Sequence, residues 1–266
     1  MISLPLFKRN MISSIKFMII FLAVLTMYTS VIIWMYDPNM AELLKQYSEM
    51  MPGVMSAMGM AGGTGTLIEF INTYLYGFLM IIVPMIFEVM LVNKLIMRYV
   101  DNGSMACLLA TPNSRRKIIF TQILSVVINV VILITIITLI GLICSQWMFP
   151  GKLDINKYLS LNFSTVLLHL LISGIAVFAA CFFNESKGYL AVGVGVPIGF
   201  YLIQMLSNMG GDLEKLKYFT VYTLLPAKDI IGGNVGVVSS NLILLGIAII
   251  LYTCGVIWFT KKDLNL

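Results

Sequence analysis

Few side chains in this 266-residue sequence could take part in chemistry. Glu69, Glu88 and His169 lie within or beside long apolar stretches, where an ionisable group marks a functional site by default. The two acids are 19 residues apart in one stretch, about 28 Å along a helix at 1.5 Å per residue. That places them near its opposite ends rather than as a working acid–base pair. His169 is the only histidine, and it reads either as a hydrogen-bonded structural group or as a proton relay. Cys107, Cys144, Cys181 and Cys254 show no metal-ligand spacing and offer no external pair for a disulfide; they read as small apolar side chains. Thioethers crowd MMPGVMSAMGM at residues 50–60, and soft sulfur suits Cu(I). No His or Cys stands beside them, so an apolar helix on the membrane or along a greasy path is the simpler reading. GMAGGTGTL is glycine-rich but lacks the Lys-Ser/Thr of a phosphate loop. It reads as a hinge.

The elements that must position these groups follow from composition. Hydrophobic residues make up 59% and charged residues 11% of the chain, against roughly 25% charged in a soluble domain; the mean hydropathy is +0.96. Too few charges remain to cover a water-soluble surface, so a soluble enzyme, a nucleic-acid binder and a disordered chain are excluded. Six apolar runs, at about 17–36, 67–92, 118–147, 163–183, 189–207 and 241–259, are each long enough to span a bilayer. They are continuous rather than alternating, which excludes a β-barrel. The chain is therefore expected to be an all-α, polytopic, multi-pass membrane protein. Gly193, Gly195, Pro197 and Gly199 predict a bent fifth span. Eleven of the 17 Lys and Arg residues fall on the side that holds both termini and six on the other, which predicts cytoplasmic termini. Residues 1–16, apolar and basic, predict an amphipathic helix lying on the inner surface and leading into an uncleaved anchor.

The segment between the second and third runs carries most information. VDNGS is a turn signal. Ser104 could cap a short helix on which Met105, Leu108 and Leu109 recur at helical spacing. Thr111 and Pro112 would end it, and Arg115, Arg116 and Lys117 would meet headgroups. A short amphipathic helix held outside the membrane by basic anchors is what docking to another protein requires.

DNGSMACLLATPNSR at residues 101–115 resembles the acidic-x-Gly-Thr-x-x-x-Leu-Leu-x-x-Pro-x-Ser-Arg signature of ABC-2 type transporter permeases, in its usual place after the second of six spans. FTKKDL at residues 259–264 is similar to an ending common in that family. Ser104 stands where Thr is usual, and Asn113 where an apolar residue is usual. The resemblance covers essentially the whole chain and implies one transmembrane domain over residues 1–266, with short external or re-entrant helices in 208–240. It implies a permease half with a second permease subunit, a homodimer before a heterodimer, and two copies of an ATP-binding subunit. Asp101, Gly103, Met105, Leu108, Leu109, Thr111, Pro112, Arg115 and Arg116 would form the ATPase-coupling helix. No cofactor is then expected in this chain; ATP and Mg would sit on the partner, consistent with the absence of any GxxxxGK[ST] here. The expected setting is a bacterial cytoplasmic membrane with lipid around the spans and no nucleic acid.

Two other classes compete. A secondary transporter or channel could use Glu88 and His169 as ion groups, but such proteins often carry internal repeats, and no three-plus-three similarity is evident. An intramembrane hydrolase needs paired acids or an activated nucleophile, and the sequence identifies no partner for His169. A path lined by Met, Leu, Phe and Tyr suits a hydrophobic or amphipathic cargo such as a peptide toxin, bacteriocin or drug.

Overall fold

A computed structural model of the chain describes residues 2–37, 50–60, 63, 65–233 and 236–262. Among these residues there is no β-strand, and six helices are long and apolar enough to cross a membrane. They are α1 (Leu4–Trp34), α3 (Leu67–Asp101), α5 (Arg115–Met148), α6 (Ile155–Phe182), α7 (Ser186–Asn208) and α9 (Val237–Lys261). Short helices α2 (Pro52–Ala57), α4 (Met105–Leu109) and α8 (Ala227–Gly232) lie between them. Residues 38–49 of the loop after α1, and Asp263 and Leu264 of the FTKKDL ending, lie outside the described residues. The 208–240 connection holds 3₁₀ turns at Gly211–Phe219 and Tyr222–Leu224 followed by α8.

Most of these helices overrun the apolar runs, and polar caps fix the starts of three of them. Thr66 Oγ1 accepts the Glu69 N–H while the Glu69 carboxylate accepts the Thr66 N–H, a reciprocal capping box. Ser114 accepts from the Lys117 N–H to begin α5, and Asp154 from the Lys157 N–H to begin α6.

Contacts sort the helix ends into two groups. At one end Ser3 N–H reaches Thr121, Asp101 meets Ser186, and Arg115 meets Lys262. This terminal end gathers the start of α1 and the finish of α9. At the opposite end Tyr36 O–H donates to Gly65 O, and Lys157 Nζ to Ile231 O. Trp34 and Trp147 stand 71% and 81% exposed there, as aromatics at a membrane–water boundary do.

The first helix departs from expectation. Residues 1–16 do not form a separate surface-lying helix, since Leu4–Trp34 is one continuous helix of about 46 Å. The reason is a polar seam. Asn10 Nδ2 donates to Gln122 Oε1 at 2.6 Å and to Ser125 Oγ at 3.0 Å, and Ser3, Asn10 and Ser14 are all buried. Leu4, Ile12, Ile15 and Ile19 point outward instead. Its uncharged polar groups Ser3, Asn10 and Ser14 face protein, while Lys8, Arg9 and Lys16 stay outward with the isoleucines.

Helix α6 is the most enclosed span and packs along α9, α5 and α3. Small residues allow the approach: Gly174 abuts Leu251, and Gly255 abuts Phe178 and Cys181. Gly141 of α5 leaves room for the buried Tyr158 ring of α6, and a Cβ there would overlap the Tyr158 hydroxyl. Gly141→Ala should therefore destabilise the bundle by about 1–3 kcal/mol. Tyr158→Phe in the same chain should restore part of the loss, as read by thermal unfolding in detergent.

Candidate functional site

At the terminal end, residues 101–116 form a turn, a short helix and a second turn. Gly103 has φ 71°, a left-handed conformation open to glycine at little cost. Asn102 Oδ1 accepts from both the Ser104 N–H and its hydroxyl. Ser104 precedes α4 but its side chain caps nothing, because its backbone is already helical (φ -69°, ψ -5°) where a capping residue is extended; the expected Ser104 cap is replaced by an Asn102 turn. Met105 is buried, and Leu108 and Leu109 are half-buried against the core. The apolar side of α4 thus holds the segment to the bundle. Cys107, Ala110, Thr111, Pro112 and Arg116 face outward. Thr111 Oγ1 donates back to Leu108 O at 2.6 Å and closes the helix.

Both flanks of this segment are tied to distant spans. The Asp101 carboxylate accepts from the Ser186 N–H at 3.0 Å and hydroxyl at 2.8 Å, which binds the end of α3 to the start of α7. Arg115 donates to the Lys262 carbonyl at 3.0 Å. Lys262 Nζ donates to Cys181 O at 3.1 Å and Phe183 O at 2.6 Å, so α5, α9 and the end of α6 meet through one lysine. Burial pushes the Lys262 ammonium down to about 8. Sequence reasoning does not single out Ser186 or Asn102, nor find a role for Lys262. An Asn-Glu-Ser run before a helix start is the only local signal for Ser186.

Glu88 and His169 come together in the interior. His169 Nδ1 lies 2.8 Å from Glu88 Oε1, and both side chains are fully buried. Glu88 is therefore a paired group at depth rather than an interfacial one, and His169 does have an acidic partner. Pro84 explains the arrangement: it has no N–H for the carbonyl four residues back, which is that of Met80. His169 Nε2 sits 2.7 Å from Met80 O and fills the gap. A carbonyl only accepts, so Nε2 carries a hydrogen. The 2.8 Å Nδ1–Oε1 contact then needs one more hydrogen between its atoms. Imidazole with carboxylic acid and imidazolium with carboxylate both satisfy it, and both leave the pair without net charge.

Glu69 stands apart from these groups. It caps α3 at the opposite end and lines a cavity of about 870 Å³ with Asn72, Thr73, Tyr76, Gln204 and Asn208. Eight residues of α3 facing this region, Asn72–Leu79, are π-helical, as are Asn93–Met97 and, in α7, Leu190–Val194. Such stretches re-aim side chains and recur at functional sites. The α7 stretch holds Gly193 and ends just before Gly195, Pro197 and Gly199, the rest of the cluster expected to bend the fifth span. Glu214, beside Lys217 at 2.8 Å on the same cavity, has its carboxyl held below the usual range by that ammonium. Among the described residues no group of three His, Cys, Asp or Glu is placed to hold a metal ion.

Removing one member of a buried pair leaves the other uncompensated. Glu88→Leu should cost about 3 kcal/mol or more in thermal unfolding, and Glu88→Leu with His169→Leu should recover most of it. Equal loss in the single and double variants would show that the pair is not a unit.

The geometry, a helical bundle with a tethered polar-basic segment after its second span, can be set against known proteins. No curated protein and no solved structure matches the chain. The model of the ABC-2 family transporter protein matches residues 8–264, which takes in all but the first four residues of the six spans and the whole of 101–116. The chain belongs to the ABC-2 family of transporter proteins.

Proposed function

We propose that this ABC-2 family member, a membrane permease subunit of an ABC transporter, serves an ATP-driven exporter in which two permease subunits, identical copies first, form the path and two ATP-binding subunits power it from the cytoplasm. The terminal end then faces the cytoplasm, in keeping with its excess of Lys and Arg. Residues 101–116 receive the motion of the ATPase, with ATP and Mg held on that partner.

The double tether of 101–116 carries this reading. An element that transmits force must grip the partner on one side and the spans on the other. Cys107, Ala110, Thr111 and Pro112 supply the outward face. Asp101 passes motion to α7 through Ser186, and Arg115 passes it to α9 and α6 through Lys262. No bond is made or broken in this subunit; it works by being moved.

The cargo reading is an amphipathic molecule, with peptide toxins, bacteriocins and drugs as the leading classes. The opposite-end cavity supports it, since amides and hydroxyls from Asn72, Thr73, Gln204 and Thr223 share its wall with Ile81 and Leu225. Ion-coupled transport through Glu88 and His169 is the second reading, motivated by their shared proton. Their full burial weighs against it, because neither residue lines the opposite-end cavity or the smaller terminal-end cleft.

Two variants separate gripping from transmission when the tagged protein is purified gently from its native membrane. Thr111→Arg, on the outward face, should weaken co-purification of an ATP-binding subunit roughly tenfold, about 1.4 kcal/mol. Asp101→Ala should leave the subunit bound but reduce transport per ATP hydrolysed. A wild-type preparation with no ATPase subunit or activity would overturn the reading.

A further inference from the structure

A second feature of the terminal end is independent of coupling. Arg9 of α1 and Lys94 and Arg98 of α3 converge on a cleft of about 280 Å³, with Asn10, Ser13, Tyr99, Asn102 and Ser104 among its other walls. None of the three cations has a carboxylate within ion-pair distance among the described residues; the pairs formed there are Glu88–His169 and Glu214–Lys217. Asp101, one turn beyond Arg98, is taken by Ser186. Arg9 and Arg98 are exposed. Lys94 donates to Ser13 O and lies 5.7 Å over the Phe17 ring, which holds the two helices at the spacing that forms the cleft.

Three converging positive charges without a counter-charge repel one another unless an anion joins them. Arginine's fork suits phosphate oxygens, and the Asn102 amide nitrogen adds a donor; the hydrogens of Ser13, Ser104 and Asn10 are already given to Asn10 O, to Asn102 Oδ1, and to Gln122 with Ser125. Depth selects the anion. The apolar runs beginning at 17 in α1 and ending at 92 in α3 put Arg9, Lys94 and Arg98 just past the hydrocarbon, at the headgroup level. On α1 the outward side chains following the cleft are Ile12, Ile15 and Ile19 together with Lys16, so a phosphate in the cleft has a further cation nearby and an apolar strip for acyl chains.

We propose that this cleft is a binding site for a phosphate-bearing anion, supplied by the headgroup of an anionic phospholipid. The bound lipid bridges α1 and α3 next to the Asn102 turn that opens the 101–116 segment, and offsets part of the cluster's positive charge. Juxtamembrane cations attract anionic lipid with about 1 kcal/mol each.

The test uses the purified full chain in a neutral detergent, following thermal unfolding while short-chain phosphatidylglycerol, short-chain phosphatidylcholine or inorganic phosphate is added. Phosphatidylglycerol should raise the midpoint saturably, and phosphatidylcholine should not. Arg9→Gln and Arg98→Gln, at exposed positions where folding is undisturbed, should each raise the half-saturating concentration about fivefold. Lys152→Gln, an exposed cation at the opposite end, should leave it unchanged. An equal response to inorganic phosphate would assign the cleft to a free anion and overturn the lipid source. An equal response to both lipids, or unaltered half-saturation in both arginine variants, would overturn the site itself.

Discussion

A proline in the middle of α3 sets the terms for the interior. Pro84 leaves the Met80 carbonyl without its helical donor, and inside a bilayer an unmet carbonyl has no water to turn to. The donor comes from the facing helix α6, where His169 lies near the midpoint of the span. Committing Nε2 to that carbonyl forces the other ring nitrogen toward an acid, and Glu88 is there. Three residues of α3 and one of α6 thus form a charge-neutral clamp deep in the bundle. Everything α3 does at its two ends is referred to this fixed point: the π-helical wall of the opposite-end cavity on one side, and the Asp101–Ser186 tie on the other.

With α3 pinned at its middle, the terminal-end contacts read as a linkage rather than a list. Ser186 belongs to α7, one of the two least enclosed spans, and Lys262 follows α9, the other. The segment between Asp101 and Arg115 therefore ties together the two spans with the most outward-facing surface, and reaches the enclosed α6 through backbone carbonyls at its end.

What the sequence disclosed depended on whether the governing physics was local. Long apolar runs and cap residues belong to their own segments, so six spans and their order were legible, as was the 101–115 pattern. The Glu88–His169 pair was not, because His169 meets α3 through a backbone carbonyl 89 residues away and no spacing rule reaches that far. The entry segment was misjudged for a related reason: amphipathicity shows that a helix has two sides, not which side faces lipid. Asn10 and Ser14 look solvent-facing until Gln122 and Ser125 are found opposite. The 101–116 segment shows both regimes. Gly103 and Pro112 mark its turns locally, whereas Ser186 and Lys262 hold it from elsewhere in the chain.

The polar seam between α1 and α5 has a consequence for how the protein is made. The partner of Asn10 lies 112 residues downstream, so at ~5–20 residues per second the first helix waits roughly 6–20 s before Gln122 exists. During that interval the Asn10 amide, seven residues before the apolar run, is met by water and headgroups rather than by protein. Synthesis of α5 then exchanges that solvation for Gln122 and Ser125, so the first and third spans lock together only after the second is in place.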